Sequence, residues 1–232
     1  MCDAAVWAPQ VAALGARYRC VVADYGALAS LGAMAEGALA QAPGGQLAIA
    51  GHSMGGRVAF EIMRRAPERV SQLALLDTAC PPLAEGAEGE RERTQRYALL
   101  RKARDEGMRA MARQWASGMV HPQRLDTPLF EAILDMIERS SPEIFAAQIE
   151  ALLARPDATP LLGEICCPTL VLAGREDAWN PPPRHIFMHE RIADSRLVFI
   201  EDSGHMCTME QPDRVSAELA VWLEMPPSTG RA

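Results

Sequence analysis

Ser53 stands in a motif that could make it a nucleophile. The residues 51–55 read G-H-S-M-G, between a short apolar run and an amphipathic segment. A serine in so tight a strand-to-helix turn requires residues without side chains two positions before and after it, which Gly51 and Gly55 provide. The N–H groups that begin the following helix, that of Met54 first, can bind an oxyanion. A glycine-rich turn without a catalytic role is the alternative for this motif alone.

Two further residues could activate the serine. A serine hydroxyl needs a base to remove its proton, and the base needs a carboxylate to fix its tautomer. Asp177 comes soon after the apolar run 169–173, and His205 comes soon after 197–200. Because the carboxyl ends of parallel strands share one edge of a sheet, both side chains can meet Ser53 there. Their order and positions predict a triad of serine, aspartate and histidine.

Other polar residues offer alternatives for these roles. Asp77 also follows a strand directly and is the rival candidate for the acid. His52 precedes the nucleophile, where we expect a wall of the substrate pocket rather than the base. His185 and His189 are spaced i, i+4 and could hold a metal, but no glutamate lies between them and no third ligand is evident. We therefore expect these two histidines on a solvated helix face and predict no metal site.

The apolar periodicity predicts a doubly wound, mostly parallel α/β sheet. Segments with a period of 3.6 residues alternate with short β-rich runs along the chain. Helices are predicted over 7–16, 28–41, 56–66, 184–192 and 213–222, with Trp7, Val11 and Leu14 on the apolar stripe of the first. Strands are predicted over 20–23, 47–50, 73–76, 169–173 and 197–200. The residues 226–232 are expected to form a frayed tail.

Residues 81–160 interrupt this alternation with helices only. Four helices are predicted there, over 91–106, 108–120, 128–139 and 142–154, and we expect them to form a lid inserted between 1–80 and 161–232, which form the core. The lid carries adaptable apolar side chains, among which Trp115 and Met119 are predicted to bind substrate. The alternative is that such residues only pack lid helices together; the set is Met108, Met111, Trp115, Met119, Phe130, Met136 and Phe145.

The composition excludes several classes of partner. The chain has 232 residues and a net charge of −7, without a basic cluster that would follow phosphates. No apolar run reaches the roughly 18 residues of a spanning helix, and the first residues lack a basic signal region. Six scattered cysteines suggest free thiols. We therefore expect a soluble cytoplasmic protein with a small-molecule substrate and neither nucleic acid nor membrane as partner. A second copy of the chain remains a candidate partner.

These motifs together resemble the alpha/beta hydrolases. The resemblance rests on G-H-S-M-G-G at 51–56, G-R-E-D at 174–177 followed by prolines, and S-G-H at 203–205 followed by E-Q-P. It covers nearly the whole chain, although the lid matches only in kind. The resemblance implies that Ser53 is the nucleophile, His205 the general base and then acid, and Asp177 the carboxylate that orients it. Met54 N–H would be one oxyanion donor.

The resemblance also implies an activity. It points to a serine hydrolase that cleaves a carboxylic ester of an apolar small molecule through an acyl-enzyme, without a metal or organic cofactor. Lactones, thioesters and C–C bonds remain open as substrates, because the same triad serves each. A non-catalytic protein that binds a ligand in the same pocket is an alternative from another class.

The amino end departs from the family pattern. Members carry further strands and a His-Gly loop, which supplies the second oxyanion donor, before the first helix. Here the strand expected between 20–23 and 47–50 is missing. A start further upstream, direct pairing of these two segments, or a strand from another copy would each explain the gap. The N–H groups of Met1, Cys2 and Asp3 are the candidates to replace the lost donor.

Overall fold

Four parallel strands form the sheet in the computed structural model, which describes residues 1–226. The spatial order of the strands is the same as their order in the chain. They are β1 (Leu47–His52), β2 (Val70–Leu76), β3 (Thr169–Gly174) and β4 (Ser195–Ile200). The carboxyl ends of all four therefore lie at one edge, as the sequence predicted. The predicted tail lies outside the described residues, apart from residue 226.

Helices cover both faces of the sheet. In β2, Leu73 and Leu75 pack into one apolar cluster, while Ala74 and Leu76 pack into another on the opposite face. This alternation is expected of a parallel strand buried on both sides, and it confirms the doubly wound α/β fold. The helices are α1 (Ala8–Leu14), α2 (Leu31–Gln41), α3 (Met54–Arg65), α4 (Gly86–Glu106), α5 (Met108–Ala116), α6 (Pro128–Glu138), α7 (Pro142–Leu153), α8 (Pro182–His189), α9 (Cys207–Glu210) and α10 (Pro212–Leu223).

Helices α4 to α7 lie between β2 and β3 in the chain and, with the loops that join them, are here called the helical insertion. They share an apolar cluster of their own, in which Met111, Ile133 and Leu134 are fully buried. The four helices agree closely with those predicted from the apolar periodicity. No helix within residues 1–226 is both long and apolar enough to cross a membrane.

The predicted strand at 20–23 is wrong. These residues form no strand, and Val21 is 46% exposed. The backbone of Asp24 bonds instead to the side-chain amide of Gln41. Gln41 Nε2 donates to the carbonyl of Asp24 at 2.8 Å, and Gln41 Oε1 accepts from the N–H of Asp24 at 3.0 Å. Strand β1 is consequently an edge strand, and direct pairing of 20–23 with β1 is ruled out as the explanation of the gap.

The first helix also differs from its predicted stripe. Val11 is exposed, and Trp7 and Leu14 are only half-buried. The buried residues near this end are instead Val6, in a short 3-10 helix, and Gln10. Gln10 donates from Nε2 to the carbonyl of Thr208 at 3.0 Å. Trp7 and Leu14 pack at the edge of the core, and all three residues of the stripe also border a cavity beside β1.

Candidate active site

The turn between β1 and α3 holds Ser53 in a strained conformation. Ser53 has φ of 54° and ψ of −115°, outside the regions that most residues adopt. Its N–H donates to the carbonyl of Leu76 on the neighbouring strand at 2.9 Å. Such strain persists only where the surroundings impose it, and it commonly marks a functional residue.

The glycines around Ser53 have different roles. A Cβ on Gly51 would overlap the Gly55 carbonyl and lie 2.6 Å from Gly56 N, so Gly51 is required as predicted. A Cβ on Gly55 would meet only Tyr25 Oη at 3.8 Å, an ordinary contact. The requirement predicted for Gly55 is therefore wrong. Gly56 takes its place, because its Cβ would lie 2.6 Å from the side chain of Thr78.

Ser53, His205 and Asp177 form one chain of hydrogen bonds. Ser53 Oγ lies 2.8 Å from His205 Nε2, and His205 Nδ1 lies 2.8 Å from Asp177 Oδ2. The other oxygen of Asp177 accepts from the backbone N–H of Trp179 at 2.8 Å and of Asn180 at 2.9 Å. With Nδ1–H donating to a carboxylate, Nε2 is the acceptor for the serine hydroxyl.

Charges in the site move the pKa values of Asp177 and His205 apart. Burial opposes ionisation of Asp177, but the charge and hydrogen bond of His205, with the two backbone N–H donors, lower its pKa overall. Burial likewise disfavours the imidazolium of His205, yet the nearby carboxylates, Asp177 foremost, raise its pKa overall. The site thus stabilises an ion pair of imidazolium and carboxylate, which is the pair that forms when a serine is deprotonated.

The backbone of His205 is fixed from both sides. Its N–H donates to the carbonyl of Met119 at 2.6 Å, and its carbonyl accepts from His52 Nε2 at 2.7 Å. Met119 belongs to the helical insertion and His52 to β1, so the backbone of His205 is held between the insertion and the sheet. His52 and Met119 also line the cavity.

Glu210 links the loop of His205 to the helical insertion. Its Oε1 accepts from the N–H of Gly204 at 3.0 Å and of Met206 at 3.1 Å, and its Oε2 accepts from the N–H of His121 at 2.7 Å. These bonds form although burial raises the pKa of the carboxyl group. The E-Q-P motif after the histidine therefore has a structural role that spacing alone did not indicate.

Asp77 is not the carboxylate that bonds the ring of His205. Its carboxylate accepts from the N–H of Gly174 at 2.8 Å and lies 3.4 Å from His52 Nε2, while Nδ1 of His205 bonds to Asp177. Asp77 is fully buried and has φ of 46°. Its position ties β2 to the loop that carries Asp177, because Asn180 Nδ2 also donates to the carbonyl of Asp77 at 2.9 Å.

The pair of histidines on α8 is not on a solvated face. His185 is fully buried and accepts from the N–H of Thr78 at 3.1 Å, and burial lowers its pKa. His189 is half-buried, with Nδ1 2.8 Å from Ser195 Oγ. The expected solvated face is therefore wrong for His185, whose neutral ring caps a backbone donor. Residues 1–226 contain no group of three or more side chains placed to hold a metal.

A cavity of about 1150 Å³ opens at Ser53. Trp115, Met119 and residues of α6 and α7 are among the residues that line it. Trp179 was not predicted; its ring centre lies 5.0 Å from that of His205 and 5.3 Å from that of Trp115. Its position two residues after Asp177 was the available signal. Of the other apolar residues predicted for the pocket, Met136 and Phe145 line this cavity, whereas Met108, Met111 and Phe130 pack inside the helical insertion.

Backbone N–H groups that could bind an oxyanion belong to residues that line the same cavity as Ser53. Met54 is the first residue of α3, so its N–H has no partner within the helix. Met1, Cys2 and Asp3 line the cavity as well. The amino group of Met1 donates to Gln148 Oε1, which leaves Cys2 and Asp3 as the candidates for a second donor.

A parallel α/β sheet with such a serine, histidine and aspartate at its carboxyl edge defines a class, that of the alpha/beta hydrolase fold. The family model described as "Alpha/beta hydrolase family" matches residues 2–218. The chain belongs to this family.

Among characterised relatives, 3-oxoadipate enol-lactonase 2 of Acinetobacter baylyi is 31% identical over 72% of this chain and 60% of its own length. A pimeloyl-[acyl-carrier protein] methyl ester esterase of Nitrosomonas europaea is 28% identical over 90% of this chain and 86% of its own length. The chain spans about three fifths of the length of several curated relatives that it matches.

Solved structures agree with the fold. A thermophilic esterase from Thermogutta terrifontis is 31% identical, with a TM-score of 0.83 over 96% of this chain and 85% of that one. An enol-lactonase from Burkholderia xenovorans has a TM-score of 0.81 at 24% identity, covering 97% of this chain and 88% of that one, and supports the fold alone.

Proposed function

We propose that the protein is a serine hydrolase that cleaves a carboxylic ester of an apolar small molecule through an acyl-enzyme. The observation that carries the proposal is the chain of two 2.8 Å hydrogen bonds from Asp177 through His205 to Ser53. The strained backbone of Ser53 and the cavity at its hydroxyl support the same role. Location in the cytoplasm and the state of assembly stay predictions from the sequence.

The reaction would proceed in two halves. His205 Nε2 takes the proton of Ser53 Oγ as the oxygen attacks the carbonyl carbon, and Asp177 stabilises the imidazolium. The tetrahedral intermediate collapses, and His205 gives the proton to the leaving alcohol. A water then enters, His205 removes its proton, and the attack releases the carboxylic acid and restores Ser53.

The oxyanion requires donors beside Ser53. Met54 N–H at the start of α3 is the first, since both its position and the helix dipole favour a negative oxygen there. For the second we propose the N–H of Cys2 or Asp3, which line the same cavity. Removal of one such donor lowers kcat by roughly 10²–10³ in enzymes that use two, so this contact would decide whether turnover is fast.

The aromatic wall favours an apolar group next to the ester carbonyl. Trp115, Trp179 and Phe145 form a row with ring centres 5.3 and 5.6 Å apart, and Trp179 packs against His205. Helices α4 to α7 would thus act as a lid that encloses the substrate.

A lactone is the second candidate substrate, because one relative is an enol-lactonase and hydrolysis of a cyclic ester needs the same groups. Thioesters and C–C bonds stay open for the same reason, and one relative is a 2-hydroxy-6-oxononadienedioate/2-hydroxy-6-oxononatrienedioate hydrolase. A non-catalytic binding protein is the alternative from another class.

A fluorophosphonate probe and 4-nitrophenyl butyrate test the activity. We expect covalent labelling of the folded protein with measurable ester turnover, and loss of both in Ser53→Ala. Ser117→Ala is the matched control, because Ser117 is exposed on the helical insertion and its hydroxyl donates to the carbonyl of Gln114 in the same segment. Absence of labelling in a sample with a cooperative thermal transition would overturn the proposal in favour of the binding protein.

A further inference from the structure

Within residues 1–226, six arginines line the cavity that contains Ser53, and three of them lie around Glu92. Arg57, Arg96 and Arg155 are here called the arginine cluster, and all three border the same cavity as Ser53 and His205. Arg57 lies on α3 four residues after Ser53, so its Cα is one helical turn, about 6 Å, further along the helix axis. The cluster therefore borders the cavity at Ser53, and Arg57 starts from the first turns of the same helix.

Arg57 has no counter-charge of its own. Among residues 1–226 it forms no ion pair, and its recorded hydrogen bond runs from Nη1 to the carbonyl of Pro81 at 2.9 Å. Burial lowers the pKa of Arg57 to about 9; the charges of Arg155 and Arg184 act in the same direction, and that of Glu92 opposes them. A half-buried guanidinium without an ion-pair partner of its own can pair with the carboxylate of a bound ligand.

One carboxylate serves the rest of the cluster. Glu92 accepts from Arg155 through both Nη atoms at 2.8 Å and from Arg96 Nε at 2.9 Å, and its pKa falls to about 2 as these contacts outweigh its burial. The side chain of Arg155 is only 8% exposed, and its Nε has no partner among the described residues. Within the cluster, three guanidinium groups thus share one carboxylate, although the net charge of the chain is −7. The positive charge is local to the cavity.

We propose that the substrate carries a carboxylate that binds Arg57, a few bonds away from the ester carbonyl that Ser53 attacks. This inference rests on the proposed function for the hydrolytic step. A guanidinium presents paired donors that match a carboxylate, whereas the aromatic wall accepts the carbon chain between the two groups. The substrate class is then the monoester of a short dicarboxylic acid, or a lactone that bears an acid group.

Monoethyl glutarate and diethyl glutarate test the preference, because they differ only in whether the remote group is a carboxylate or an ester. We expect kcat/KM to be at least about tenfold higher for the monoester. In Arg57→Gln the value for the monoester should fall by roughly 10- to 100-fold, with the diester changed less than about threefold. Arg64→Gln on the same helix is the control, since Arg64 bonds Glu61 outside the cavity.

Calorimetric titration of glutarate into Ser53→Ala separates the inference from the proposed function. We expect saturable binding that Arg57→Gln in the same background weakens by roughly 10- to 100-fold, while Arg64→Gln does not. If no ester is hydrolysed but glutarate binds through Arg57, the proposed function fails and the carboxylate site stands. Ser53-dependent hydrolysis with equal rates for both esters, or glutarate binding that Arg57→Gln leaves unchanged, would overturn the inference.

Discussion

At the scale of single residues, the charge on His205 should govern how activity depends on pH. Only the neutral imidazole accepts the proton of Ser53, so activity is lost as pH falls through the pKa of His205. Because nearby carboxylates raise that pKa, we expect the acid limb of kcat/KM to have its midpoint above about 6.5, the unperturbed value. A profile measured with 4-nitrophenyl butyrate from pH 5 to 9 tests this. A midpoint below 6 would contradict it.

The two buried aspartates should respond differently to substitution. Asp177→Asn removes the charge on Nδ1 of His205, so we expect kcat to fall by about 10³- to 10⁴-fold and the acid limb to move to lower pH. Asp77→Ala leaves the N–H of Gly174 without a partner, which should cost about 1–3 kcal/mol of unfolding free energy.

Steady-state rates and urea unfolding of both variants distinguish these roles. The acid limb of Asp77→Ala should move far less than that of Asp177→Asn, because Asp177 still bonds the ring. If Asp77→Ala moved the acid limb as far as Asp177→Asn does, Asp77 would share the role of acid.

Some of the site could be predicted from single residues and some could not. Ser53, Asp177 and His205 share one property that a sequence shows, which is that each follows a predicted parallel strand. Arg155 has no such property, and for Trp179 the only signal was its position two residues after Asp177. Their places depend on how the loop after Asp177 and the end of α7 fold against the sheet. Contacts of that kind form between distant segments and leave no periodic pattern.

At the scale of secondary structure elements, the turn at Ser53 requires glycine only where an added Cβ would collide with neighbouring backbone. Gly51→Ala would force a Cβ into the Gly55 carbonyl, so we expect a loss of about 1–3 kcal/mol or more and a lower Tm. Gly55→Ala meets only Tyr25 Oη at 3.8 Å, and its stability should change by about 0.5 kcal/mol or less. Thermal unfolding compares the two variants directly. Equal losses would show that the turn requires both glycines.

The strand predicted at 20–23 shows why secondary structure cannot always be predicted from the local sequence. Val21 and Val22 favour a strand by composition, yet a strand also needs a neighbour that supplies its hydrogen bonds. Here the amide of Gln41 supplies the partners of Asp24, and the edge of β1 stays open to the cavity. Strands β2 and β3 were predictable because both faces are buried, which gives a continuous apolar run.

At the scale of the whole molecule, Glu210 joins the sheet layer to the helical insertion. One carboxylate accepts from Gly204 and Met206 in the loop of His205 and from His121 in the insertion. A glutamine has a single acceptor oxygen, so its NH₂ group would face the N–H of His121. We therefore expect Glu210→Gln to cost about 1–3 kcal/mol of unfolding free energy and to lower kcat more than it raises KM.

Hydrogen exchange and kinetics together test the link made by Glu210. In Glu210→Gln the amide of His121 should exchange faster, whereas amides in the centre of β2 should keep the protection set by global unfolding. Glu131→Gln is the control, because Glu131 is an exposed carboxylate of the insertion that pairs with Arg109 and Arg113 on the surface, where such pairs contribute little. Unchanged exchange at His121 with unchanged kcat would mean that the insertion is held over the site by its apolar contacts alone. Faster exchange at His121 alone, together with a lower kcat, would mean that the Glu210 carboxylate holds both the loop of His205 and the helical insertion in place.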